Sequence, residues 1–254
     1  MTAFQLASLI GLGGTALLAA LHYAMRQPWR GAPPAAPRDI KRYALWERLV
    51  HAVTMLGFLV LLVTSFVPAL WGRPLREFGW LLMIHTSASS LYFLGTLAMI
   101  FTWAEDCRFG RHDLEWLRRC PCTKKTPGVV SPEGPKGAAQ KRPLGSFSSP
   151  ADRFDPLQKL YFWFAAALGL ALLGTTMLAM VNLFGSEGQA WLYEIHRWTA
   201  LALTMATIAH AYRTTLAKPG TWRALVSGDV SAAWAKRHHP LWFERVAGRP
   251  AEKR

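Results

Sequence analysis

Cysteine is scarce in this sequence: three residues, Cys107, Cys120 and Cys122, crowded into one stretch. An odd count with a Cys-Pro-Cys step excludes a disulfide framework. Reduced thiols are the expectation, and even with His112 nearby the spacing matches no closed zinc motif. Acidic residues are also few, 15 against 29 Lys and Arg, for a formal net charge of +14. Charge is rare within several long stretches, and the basic residues lie between them. That ordering excludes a basic nucleic-acid module, which would spread Lys and Arg over one folded face. The first apolar stretch, Phe4 to Tyr23, lacks a charged leading region and a small-residue cleavage site, which predicts a retained helix rather than a removed signal peptide. No internal repeat stands out.

What is abundant is apolar: 52% of the residues are hydrophobic and 12 are Trp. Together with the positive charge, this fits apolar blocks in lipid with basic segments outside them. A bilayer core about 30 Å thick needs roughly 20 apolar residues in a helix. Five stretches qualify: Phe4 to Met25, about Arg48 to Leu70, Gly79 to Trp103, Gln158 to Leu183 and Trp191 to Leu216. The expected fold is an all-α membrane protein, a bundle of five transmembrane helices. Gly, Ala and Thr recur in the last two stretches, as close packing in lipid favours.

Orientation follows from Lys and Arg in the connections. Arg26, Arg30, Arg38, Lys41 and Arg42 lie between the first two stretches, and Arg73 and Arg76 between the next two. The segment Phe184 to Ala190 has neither Lys nor Arg, while Ala104 to Pro156 and the tail after Lys218 are strongly basic. This places the N-terminus outside and the C-terminus in the cytoplasm. Trp71, Trp80, Trp103, Trp191 and Trp222 fall at the ends of the stretches, as an aromatic belt requires. Thr123 to Ser149, rich in Pro, Gly, Ser and Lys, is expected to be flexible.

Four of the eight histidines, His51, His85, His196 and His210, lie inside apolar stretches. Hydrocarbon makes an ionisable residue costly, so each is a functional candidate. By depth they form two pairs, His85 with His196 near the outer face and His51 with His210 near the cytoplasmic face. Fourteen residues separate His196 from His210, about 21 Å of helix and nearly a whole number of turns. One helix can therefore offer a ligand to each of two stacked b-type haems, and neutral imidazole suits iron. The competing reading is a set of interhelical hydrogen bonds or a proton relay. His22, beside Tyr23, is expected at the interface. Arg48 and Arg42 flank His51, Arg197 follows His196 and Arg213 lies just beyond His210. Each suits a haem propionate, or equally a lipid headgroup.

These residues carry a family resemblance. The run His196-Arg-Trp-Thr-Ala through His210-Ala-Tyr, then Val226 through Glu244 with its stretch Trp234-Ala-Lys-Arg-His-His-Pro-Leu-Trp242, resembles the gamma subunit of membrane-bound formate dehydrogenase. Trp46-Glu-Arg-Leu-Val-His51 and Ile84-His85 resemble the family's other ligand motifs. The similarity covers about Lys41 to Val246 and leaves the first stretch as an addition to a four-helix di-haem cytochrome b core. The resemblance implies the same four ligands in the same two pairs. It also implies a quinone site, for menaquinone or ubiquinone, near His210 and the segment Arg153-Phe-Asp-Pro-Leu-Gln-Lys159, with Lys159 as a contact. Leu157 stands where the family tends to have Gly, a departure that bears on the shape of that pocket.

The expected organisation is an extra N-terminal helix over 1–25, a cytoplasmic linker over 26–47, a di-haem core over 48–216 with a basic loop at 104–157, and a cytoplasmic tail over 217–254. The expected role, in the bacterial inner membrane, is electron transfer in anaerobic respiration. Electrons pass from an iron–sulfur subunit, fed by a molybdenum or tungsten catalytic subunit, through two haems to quinone. The dehydrogenase chemistry belongs to the partner, not to this chain. The alternative is the cytochrome b anchor of a hydrogenase or of another molybdenum or tungsten oxidoreductase. A haem-free transporter would more often carry broken helices or inverted repeats.

Overall fold

The computed structural model describes residues 1–26, 40–73, 75–118, 151–181, 183–218 and 220–247. Five long helices dominate: α1 (Ala3–Arg26), α2 (Leu45–Leu70), α3 (Gly79–Trp103), α5 (Pro156–Val181) and α6 (Gly185–Tyr212). Short helices follow α3 and α6: α4 (Arg111–Arg118), α7 (Thr221–Ser227), α8 (Ala232–His238) and α9 (Pro240–Ala247). By length and composition α1, α2, α3 and α5 can each cross a membrane. The expected fifth segment, α6, is the longest helix but is not among those four. Glu187, Glu194, His196, Arg197 and His210 lie within it and dilute its apolar character. It also begins six residues before the expected Trp191.

Helices α2 and α3 form one tightly packed hairpin, and α5 and α6 form another. Small residues permit the close approach in the first. A Cβ on Gly95 would fall 2.3 Å from Thr54 Oγ1, and one on Gly57 would fall 3.2 Å from the Tyr92 backbone nitrogen. Contact between the hairpins runs chiefly through α3 and α5, while α2 and α6 scarcely meet. Helix α1 lies along α6. At one end of this contact Phe4 packs edge-on against Trp198, 5.4 Å between centroids, beside Phe66 and Leu201. At the other end His22 hydrogen-bonds Tyr212.

Local chemistry explains the helix starts. Glu47 reaches back to accept the Ala44 N–H at 2.7 Å, half of a capping box at the start of α2. The segment Asp155-Pro156-Leu157-Gln158 makes a full box at α5. Asp155 Oδ1 accepts from the Leu157 and Gln158 amides at 3.1 and 3.0 Å, and Gln158 accepts the Asp155 N–H at 3.1 Å. Pro156 occupies the first helical position, where its missing N–H costs nothing.

One end of the bundle carries a folded cap. Strands β1 (Ile40–Lys41) and β2 (Asp229–Val230) pair antiparallel, with Ile40 opposite Val230. Residues expected as linker thus belong to the folded cap, where Tyr43 joins Trp103, Cys107, Phe154, Phe162, Val230 and Trp242 in a buried cluster. The chain enters α2 beside Gly228, whose carbonyl accepts the Arg42 and Tyr43 amides at 2.8 and 3.0 Å. Gly228 has φ +88°, and a Cβ there would sit 2.9 Å from the Tyr43 carbonyl, so both backbone and space require glycine. Cys120, Cys122 and the expected flexible segment Thr123 to Ser149 lie outside the described residues.

Candidate functional site

The four candidate histidines fall into two neighbouring pairs, each with one member on α6. His85, near the start of α3, lies within electrostatic reach of His196 on α6, and His210, near the end of α6, within reach of His51 on α2. Because α6 is continuous from Gly185 to Tyr212, its two histidines stand about 21 Å apart along the axis and about 40° apart around it. All four side chains are half-buried rather than enclosed.

The rings are held differently at the two depths. Thr64 Oγ1 lies 2.9 Å from His85 Nδ1. Thr175 Oγ1 lies 3.0 Å from His196 Nδ1, with Thr176 Oγ1 at 3.3 Å. Among the described residues, the rings of His51 and His210 make no hydrogen bond. Instead Tyr161 stacks on His210 with centroids 4.0 Å apart and planes 14° apart, and its hydroxyl is 3.0 Å from Thr207 Oγ1. Trp103 lies 6.3 Å from the His51 ring.

The expected cationic residues have protein partners. Arg48 donates to the Leu225 carbonyl at 2.8 Å and also to that of Val226, tying α2 to the end of α7. Arg197 pairs with Glu194 at 2.8 Å and lies over the Phe4 ring at 4.8 Å. Arg213 and Lys218 donate to Asp155 at 2.7 and 2.6 Å. Burial alone would raise the Asp155 carboxyl, but these two cations hold it far below the usual carboxylate range. Lys159, also buried, is held by Asp113 at 2.8 Å and by the Arg108 carbonyl at 2.9 Å. Arg42, 2% exposed, is stacked within 5.3 Å of Tyr43, Trp234 and Trp242 and belongs to the cap rather than to the histidine layers.

Cys107 packs in the buried cluster of the cap, and burial pushes its thiol up to about 12. It is protonated at neutral pH and therefore a poor metal ligand.

Comparison with known proteins gives the chain a family. The family model described as prokaryotic cytochrome b561 matches residues 42–228. The chain belongs to that family. The match begins just before α2 and ends just after α7, so it takes in all four histidines and leaves α1 outside. The cytochrome b556(fdo) subunit of formate dehydrogenase from Escherichia coli K12 is 26% identical over 222 residues, 82% of this chain and 93% of that protein. The cytochrome b556(Fdn) subunit of the nitrate-inducible formate dehydrogenase of the same strain is 27% identical over 105 residues, 40% of this chain and 48% of that one. The resemblance read from the C-terminal run and the histidine motifs is borne out by these relatives. A cytochrome b family implies haem b, and the residues fit it: two pairs of imidazoles, with Arg48, Arg197 and Arg213 within three residues of His51, His196 and His210.

Sequence reasoning missed Thr64, Thr175 and Tyr161. A signal for the threonines exists in hindsight, because each stands 21 residues before its histidine. Nothing in the sequence pairs Tyr161 with His210, 49 residues away.

Proposed function

We propose that this chain is the membrane cytochrome b subunit of a respiratory complex of the formate dehydrogenase type, holding one b haem between His85 and His196 and a second between His51 and His210. The observation that carries the reading is the pairing of four histidines at two depths with α6 common to both. An interhelical hydrogen-bond role would not require two such pairs on one helix face. Haem iron, when held, supplies reversible one-electron chemistry. The chain's own contribution is to present imidazole lone pairs and to set ring orientation through Thr64, Thr175 and Tyr161. Arg48, Arg197 and Arg213 retain guanidinium donors beyond those used in their protein contacts, and these face the propionate role.

In this reading α6 is a fifth span. Its ionisable residues are tolerated because they hold haem or lie near its ends. The basic cap and the Lys- and Arg-rich connections lie in the cytoplasm, and the N-terminus lies outside. Electrons enter at the His85–His196 layer from an iron–sulfur partner served by a molybdenum or tungsten catalytic subunit. They leave at the His51–His210 layer to a quinone bound near the cap, beside the start of α5 with Lys159 and Leu157. Moving each electron inward works against the membrane potential by up to about 2.3 kcal/mol per 100 mV, which calls for a strongly reducing donor such as formate. The test is gentle purification of the complex with its subunits. Expected are two low-spin b haems per chain and formate-dependent quinone reduction. A purified complex without b haem overturns the reading.

A further inference from the structure

Thr64 and Thr175 share a geometry that most threonines of these helices lack. Many threonines in these helices hydrogen-bond the carbonyl one turn back, as Thr54, Thr96 and Thr204 do. Thr64 donates in this way to Val60 at 2.8 Å and Thr175 to Ala171 at 3.0 Å. A hydroxyl has one proton, and with that proton on the helix carbonyl the oxygen is left to accept. The ring nitrogens at 2.9 and 3.0 Å must then supply the proton for the second hydrogen bond, because the threonine oxygen can only accept. In that arrangement both rings carry Nδ1–H and keep the lone pair on Nε2.

Resting on the haem reading above, we infer that Thr64 and Thr175 are positioning residues. They lock the tautomer of His85 and His196 and make these two imidazoles stronger donors than those of the other layer. A ring nitrogen that donates its N–H to an oxygen increases the basicity of the nitrogen on the far side and fixes the ring plane. His51 and His210 have no such partner among the described residues. Hydrogen bonding to axial ligands is one of the levers that set a haem potential. More basic ligands favour the ferric state, so the lower of the two midpoint potentials belongs to the His85–His196 layer. Electrons entering there then run downhill to the other layer, partly offsetting the opposing membrane potential.

The test is redox titration of the two b haems in the purified complex, in wild type and in Thr64→Val, Thr64→Ser, Thr175→Val and Thr204→Val. Valine matches threonine in shape and removes the acceptor. Thr64→Val is expected to raise the lower potential and narrow the gap, and Thr64→Ser to restore it. Thr175→Val should move the same haem, less strongly because Thr176 stands 3.3 Å from the ring. Thr204→Val, which removes only a back-bonding hydroxyl, should move neither. Loss of one haem in Thr64→Val with retention in Thr64→Ser also supports the inference. Two haems with unchanged potentials in Thr64→Val, or a shift confined to the higher potential, overturn it and leave the haem reading standing. Absence of b haem from the wild-type complex overturns the haem reading itself.

Discussion

Asp155 accepts a hydrogen bond from Arg213 at 2.7 Å while it caps the first turn of α5, so one buried carboxylate ties the start of α5 to the end of α6. Lys218 reaches the other oxygen at 2.6 Å. The carboxylate is 1% exposed, so its charge is sustained by these partners rather than by water. Replacing Asp155 with Asn keeps the cap and removes the anion. The expected cost is about 3 kcal/mol, at the low end for breaking a buried pair because both cations can lean toward solvent. A thermal melt of the purified protein reads this as a clear drop in midpoint, and an unchanged melt would mean that the cations do not depend on Asp155.

Loss of single histidines should sort by layer. His85→Ala and His196→Ala are each expected to remove the same haem and spare the other, and His51→Ala and His210→Ala the reverse. Haem quantification with redox titration distinguishes the two species. Loss of both haems from one substitution in a protein that still melts cooperatively would contradict two separate layers.

The cap should loosen in mild acid. His239 Nδ1 donates to the Asp152 carbonyl at 2.7 Å and its Nε2 faces Arg42 at 3.2 Å. Burial, with Arg42 next, holds the ring well below its ordinary value of 6.5, and burial with nearby Lys218 lowers His238 to about 4. A base that resists protonation when folded stabilises above its unfolded value and loses that contribution as pH falls below it. Cap stability should therefore decline from about pH 6.5 downward. Asp155, held low, begins to withdraw support only below its ordinary value of 3.8, so it does not contribute in the window between. Hydrogen-exchange protection factors in α7–α9, with the intrinsic pH dependence of exchange divided out, should fall from pH 7.5 to 5, and His239→Asn should flatten that slope.

Glycine substitutions test the α2–α3 packing. Gly95→Ala forces a methyl onto Thr54 and should cost about 1–3 kcal/mol as overpacking. Gly174→Ala, with nothing within 4 Å of the new Cβ, should be neutral or slightly stabilising through helix propensity. Equal melting shifts in the two variants would argue against close contact at Gly95.

Much of this architecture was legible in the residues. Helix α3 runs from Gly79 to Trp103 as expected, because a long apolar run flanked by Trp leaves little ambiguity. The placing of His196 and His210 on nearly one face of α6 was legible too, since a regular helix returns to that face after fourteen residues. The early start of α6 was hidden because Gly185 to Ala190 looks like a polar turn. The cap was hidden for another reason. Two-residue strands and helices of seven or eight residues carry too little periodicity to read, and the ties of Arg48 to Leu225 and of Arg153 to Glu47 join positions more than 100 residues apart. The partners of Lys159 and Arg213 were hidden in the same way, because ion pairing across a fold leaves no local trace.

Helices α2 and α6 scarcely touch, and the two hairpins are joined mainly along α3 and α5. Each half can therefore complete its own backbone bonding before the halves meet. A molecule divided along such a line can shut like a book around a large flat guest as the last step of assembly. A guest that never arrives would leave the two covers joined along α3 and α5 and by the cap at one end.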